Sequence, residues 1–173
     1  MSQQSIVISI SEQSLKLYDV SSVVDGLTAL SSNNVVEEWP ISTALAGPGN
    51  QQGSEQTPLG LHRIRAKIGA GQPINAVFVG RRPTGEVYGA ALAKQFPARD
   101  WILTRILWLC GNQLGVNRGG AVDSMRRYIY IHGTPDGEPM GAPLSHGCIR
   151  MRNKDIVTLF DCVSLYSNVI IEA

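Results

Sequence analysis

The strongest constraint on this chain is a period of two. Residues 5–19, SIVISISEQSLKLYD, place Ile6, Ile8 and Ile10 on alternate positions, break at the polar SEQS, and resume with Leu15 and Leu17. Successive side chains of a strand point to opposite faces, so the pattern predicts two half-buried strands joined in a hairpin. The period returns in GLHRIRAKIG, with His62, Ile64, Ala66 and Ile68 facing one way and Arg63, Arg65 and Lys67 the other. On that reading His62 is a core-edge histidine. It returns again in RRYIYIHG, where Tyr128, Tyr130 and His132 share one face and Ile129 and Ile131 the other, leaving His132 at a strand end. Further strands are expected in VVEEWPIS, NAVFVG and the closing NVIIEA.

Helical signal is concentrated in one place. Asn153 suits a helix N-cap, and Ile156, Leu159, Phe160 and Val163 follow at the i, i+3, i+4, i+7 spacing of one apolar face, with Cys162 as inert packing beside it. Many short strands with one or two helices indicate a mainly β domain, a β-sandwich or barrel-like fold. A chain of 173 residues with 43% hydrophobic residues can bury one substantial core, so residues 1–173 are read as a single domain. ALAGPGNQQGSEQTPLG has no periodicity and is expected to be a surface loop, of the length that often carries function. Residues 81–124, with the Gly-rich GVNRGGAV, read as an insertion or lid around one core piece near Trp101 to Cys110.

Charge and cysteine usage exclude several functions. The net charge of +1 is not gathered into a basic stripe, so nucleic acid is not an expected partner. WILTRILWLC is too short for a membrane span and carries Arg105, so no membrane anchor is expected. The start, MSQQSIVISISEQS, has none of the features of a secretory leader, which makes the cytoplasm the expected compartment; the periplasm is the alternative if a leader precedes it in the gene. Cys110, Cys148 and Cys162 are odd in number and widely spaced, which argues against a disulfide framework and a structural zinc knuckle.

The chemistry gathers in residues 131–151, IHGTPDGEPMGAPLSHGCIRM, which hold two of the three histidines and one of the three cysteines. A free thiol with a pKa of about 8.5 is only slightly ionised near neutrality and needs a base to attack efficiently. His132 and Cys148 stand sixteen positions apart across a Gly/Pro-rich excursion that can return one to the other. Gly147 removes a side chain where backbone N–H groups would converge on an oxyanion. Two other readings stand beside this one: a zinc site from His132, His146 and Cys148, whose spacing departs from known ligand patterns, and a tight turn around a buried cysteine.

IHGT followed by SHGCIRM resembles the signature of the L,D-transpeptidase (YkuD-type) catalytic domain. The hairpin IVISISEQSLKLYDV, the WPISTA strand and TPLGLHRI resemble that domain's amino-terminal strands and its Thr-Pro-x-Gly element, so the resemblance covers most of the chain outside residues 81–124. It implies that Cys148 is the acylated nucleophile and His132 its base, with the Gly133 carbonyl orienting the imidazole. It implies an oxyanion hole from the amides of Gly147 and Cys148, and substrate-lining or bracing roles for Ser145, His146, Arg150 and Tyr130. Many relatives carry Asn at the position of Arg150.

The resemblance further implies attack on the bond between diaminopimelate and terminal D-Ala in a peptidoglycan stem peptide, with no metal or organic cofactor, and acylation by carbapenem-type inhibitors. Deacylation by water makes an L,D-carboxypeptidase, which a cytosolic enzyme acting on soluble muropeptides in recycling would be; this is the first expectation. Deacylation by an amine, giving L,D-transpeptidation in the periplasm, is the runner-up, and a non-catalytic peptidoglycan-binding module comes third.

Overall fold

The predicted hairpin forms in the computed structural model, which describes residues 3–20 and 34–173. Strand β1 (Gln3–Ser9) pairs antiparallel with β2 (Ser14–Val20), and Ile6, Ile8, Leu15 and Leu17 turn fully into the core. Strand β3 (Val35–Pro40) extends the sheet beyond β2. On the other edge of β1 lies the closing strand β10 (Asn168–Glu172), parallel to β1 and antiparallel to β4 (Gly60–Ile68). Next comes β7 (Ile102–Gly111), which also pairs with β5 (Ala76–Val79), itself joined to β6 (Arg82–Val87). Strand β8 (Tyr130–Thr134) lies antiparallel on β7, and β9 (Ile149–Arg152) lies parallel to β8.

These ten strands make one curled sheet, a half-barrel, so the mainly β, barrel-like expectation holds. Among the described residues two α-helices accompany it, α1 (Ala90–Gln95) and α2 (Asn153–Cys162). The expected apolar face of α2 is buried: Ile156, Leu159, Phe160 and Val163 pack with Leu107, Leu109, Ile131, Ile149 and Met151 inside the curl. Each such side chain contributes about 1.5–3 kcal/mol by leaving water. This packing fixes β8 and β9 from beneath. Among the described residues no helix is long and apolar enough to cross a membrane.

Several local expectations change. The core piece expected near Trp101 to Cys110 is β7, which pairs with β4, β5 and β8, but the segment before it is part of the sheet rather than an insertion, since it supplies β6. Tyr128 falls outside β8, in a turn with φ +56°, so the alternating run begins later than expected. Asn153 does not cap α2; Arg152 occupies that position, and Asn153 is the first helical residue, buried and hydrogen-bonded to neighbouring loops. Cys162 is exposed rather than packed. His62, read as core-edge, is fully buried; its ring hydrogen-bonds the Gly60 carbonyl and the Ser124 hydroxyl at 3.0 and 2.9 Å.

Candidate active site

The parallel pairing of β8 and β9 brings the two ends of the His/Cys-rich stretch together. Ile131 stands opposite Ile149, and both point into the core under the sheet. Alternation therefore puts Tyr130 and His132, and on the neighbouring strand Cys148 and Arg150, on the opposite face. Extending the register places Cys148 beside Tyr130, whose amide donates to the sulfur at 3.4 Å. With strands about 4.8 Å apart and about 3.3 Å per residue, a two-residue offset leaves roughly 8 Å between the Cα atoms of His132 and Cys148, a distance two inward-turned side chains can bridge; at rest the sulfur is hydrogen-bonded to Tyr130 and Tyr128 rather than to the imidazole.

His132 is buried, and its Nδ1 lies 2.7 Å from the Gly133 carbonyl. A carbonyl only accepts, so Nδ1 carries the proton and Nε2 presents a lone pair. Burial holds the imidazole below its ordinary pKa, with the Gly133 hydrogen bond opposing, so it rests neutral. Gly133 must be glycine here. A Cβ would stand 2.7 Å from the Leu103 carbonyl and 2.5 Å from Asn153 Oδ1.

Burial of the sulfur pushes the Cys148 thiol up to about 11, with the Tyr130 amide partly opposing, although part of the residue reaches the surface. Its proton is directed to the Tyr128 carbonyl, 3.4 Å away. Ionising that thiol alone at neutral pH costs about 5 kcal/mol. The resting pair is thus neutral thiol and neutral imidazole, and attack requires the proton to pass to His132 as the new bond forms.

The turn that delivers Cys148 is held from two sides. The Ser145 hydroxyl donates to the Cys148 carbonyl and accepts from the Gly147 amide at 3.3 Å. The Thr57 hydroxyl donates to the Gly147 carbonyl at 3.0 Å, so the Thr-Pro-x-Gly element reaches the site as a clamp. Gly147 has φ +128°, a conformation that side chains rarely permit. Of the two amides expected to form an oxyanion hole, that of Gly147 is engaged by Ser145 at this longer distance, which an anionic oxygen would outcompete.

His146 projects outward with 65% of its side chain exposed and lies 3.7 Å from Asp100. Arg150 is largely buried and pairs with Asp100 at 2.9 Å, which gives it a bracing role. Tyr130 is buried, with its hydroxyl accepting from Arg81 at 3.0 Å. Sequence reading missed Asp100, Arg81 and Arg127. Arg127 donates to the Gly49 and Gln56 carbonyls and so ties the long loop to the site. None of the three sits in a motif; each arrives through tertiary folding. His146 is a shared wall of two cavities, one of about 320 Å³ bounded by Glu55, Arg126, Arg127 and Tyr128, and one of about 170 Å³ bounded by Asp100, Thr134, Glu138 and Arg150. Among the described residues no group of three or more His, Cys, Asp or Glu is placed to hold a metal ion.

No curated protein matches the chain. Solved structures share its fold. An L,D-transpeptidase from Mycobacterium smegmatis is 20% identical with a TM-score of 0.52, the match covering 99% of this chain and 59% of that one. L,D-transpeptidase 3 from Mycobacterium tuberculosis, in complex with a faropenem-derived adduct, is 16% identical with a TM-score of 0.55, covering 99% and 61%. The L,D-transpeptidase LdtMt1 in complex with imipenem is 17% identical with a TM-score of 0.55, covering 99% and 59%. The chain thus spans about six-tenths of the length of these structures. The family model for the L,D-transpeptidase catalytic domain (YkuD) matches residues 3–171, and with that match over nearly its whole length the chain belongs to this family.

Proposed function

We propose that this protein opens the amide bond between diaminopimelate and terminal D-Ala of a peptidoglycan stem tetrapeptide, holding the rest of the stem as a thioester on Cys148. The observation that carries the reading is the His132 tautomer, fixed by the Gly133 carbonyl on the strand beside the nucleophile. As the Cys148 sulfur attacks the carbonyl carbon, its proton passes to His132 Nε2, and the carbonyl electrons move onto oxygen. The Gly147 and Cys148 amides receive that charge, each worth about 2.7–4 kcal/mol. Collapse of the intermediate breaks the C–N bond, and D-Ala leaves as the amine with the proton from His132. Ser145 and Thr57 hold the turn, and Arg150 is committed to Asp100. Relatives are solved with imipenem and with a faropenem-derived adduct, and the same inhibitor class should acylate Cys148.

Water is the first choice of acceptor, which makes the protein an L,D-carboxypeptidase trimming soluble muropeptides in the cytoplasm. The smaller cavity, about 170 Å³, has room for D-Ala and water but falls below the roughly 300 Å³ from which ligand-enclosing pockets begin. Glu138 on the wall of that cavity, a carboxylate with no ion pair among the described residues while Asp100 is taken by Arg150, favours a second reading in which an amine enters and the reaction is transpeptidation. Incubation with a disaccharide tetrapeptide separates the two by mass spectrometry. Tripeptide plus free D-Ala is expected; cross-linked dimer or D-amino-acid exchange as the main product would establish the second reading, and equal behaviour of wild type and Cys148→Ala would refute both.

A further inference from the structure

Arg81, in the turn between β5 and β6, occupies an aromatic notch on the flank of the site. Its guanidinium carbon lies 4.5 Å from the ring centre of Trp108 and 5.0 Å from that of Tyr128. Its Nη1 donates to the Tyr130 hydroxyl at 3.0 Å. The backbones of the same two tyrosines hold the nucleophile, through the Tyr128 carbonyl and the Tyr130 amide. A fixed cation therefore stands one tyrosine length from the sulfur.

That cation has no acidic partner among the described residues, whereas Arg99 and Arg150 are paired with Glu86 and Asp100. A guanidinium has five N–H donors, and the tyrosine hydroxyl takes one. Stacking on two rings and one hydrogen bond already restrict the long side chain, so ligand binding costs it little further entropy. Tyr128 also bounds the larger cavity, where Arg127 is engaged by backbone carbonyls and so is not available to a ligand.

We propose that Arg81 forms a carboxylate-binding subsite for the acyl donor, taking an acidic group that stays on the thioester side of the scissile bond. An extended peptide advances about 3.5 Å per residue, so one tyrosine length corresponds to one or two residues from the reacting carbonyl. A stem peptide offers two such groups there: the free carboxyl of diaminopimelate and that of the second residue. The inference rests on the stem-peptide reading above and gives that reading a specificity determinant.

The test compares tetrapeptide with two versions, each amidated at one of these carboxyls, on wild type and Arg81→Gln. For wild type, amidation of one of the two should raise KM about 10- to 100-fold, the range expected for a charge-assisted hydrogen bond, and which one does so identifies the group. Arg81→Gln should raise KM for the unmodified peptide by the same factor with kcat unchanged, and should no longer distinguish it from the amidated one. Melting temperature and the alkylation rate of Cys148 by iodoacetamide should match wild type. If Arg81→Gln unfolds early, Arg81→Lys serves instead: it keeps the charge but lacks the fork, and its KM should rise for the unmodified peptide alone. Wild-type indifference to both amidations, or a preference preserved in the variants, overturns the subsite. Absence of D-Ala release by wild type would overturn the stem-peptide reading itself.

Discussion

A thiol pushed up to about 11 beside a neutral imidazole makes a distinctive prediction about reactivity. At pH 7 such a thiol is about 10⁻⁴ ionised, against about 3% for an unperturbed cysteine with a pKa of 8.5. Toward a neutral alkylating agent that receives no help from His132, Cys148 should react about 300-fold more slowly than a free cysteine. The measurement uses iodoacetamide on Cys162→Ser, which removes the exposed competing thiol, with the modified peptide followed by mass spectrometry from pH 6 to 10. The rate should climb about tenfold per pH unit with no plateau. Turnover of the peptide should behave differently, because it depends on neutral His132, whose pKa is lowered by burial. Activity should be flat through neutrality and fall only below the ordinary imidazole range near 6.5. A plateau of alkylation between pH 6 and 8 would reveal a preformed thiolate–imidazolium pair and refute the neutral-pair reasoning.

Stability should carry a separate acid signature from His62. Burial brings its pKa down to about 4, so between pH 6.5 and 4 the unfolded chain binds more protons than the folded one and stability falls as pH falls. Relative to pH 7.5, the loss at pH 4.5 should be about 2.5 kcal/mol from this group, with His132 adding in the same direction. Urea unfolding of wild type and His62→Gln at the two pH values should show a smaller loss for the variant; equal losses would contradict the assignment. Gly133→Ala should destabilise by about 1–3 kcal/mol, since the new Cβ meets the Leu103 carbonyl and Asn153, and should reduce activity by displacing the carbonyl that orients His132. Thermal unfolding with wild-type midpoint and full turnover would refute it.

What sequence made legible follows the strength of local signals. Strands β2, β4 and β10 bury one face and leave the other more open, so their alternation survives in the residues; β1 is buried on both faces, yet Ser5 and Ser9 on its second face keep the period visible. Strand β7 is buried on both faces along most of its length, which erases the period and makes it look like an isolated apolar run. Its irregularity also escapes local reading: Thr104 has φ +71° at a shift in the β7–β8 register, and its hydroxyl turns to Asn153. Asn153 has the composition of a cap, yet Thr104, Thr134 and Asn75 compete for its side chain and win it. The pair His132 and Cys148 was readable because β8 and β9 flank one excursion in the chain. Asp100 and Arg81 reach the site from distant turns with no motif to mark them.

The parallel pairing of β10 with β1 has a consequence for how the molecule is made. Among the described residues, β10 is the strand that joins β1 to β4 along the main path of the sheet. During synthesis the β1–β2 hairpin and the β4–β9 sheet can form first, but the row between them waits for β10 to emerge, and until then β1 and β4 each present an open edge. Such long-range closure slows folding and leaves those edges available to other chains. Nascent chains stalled before residue 168 should therefore be more prone to aggregate than chains in which β10 has been made.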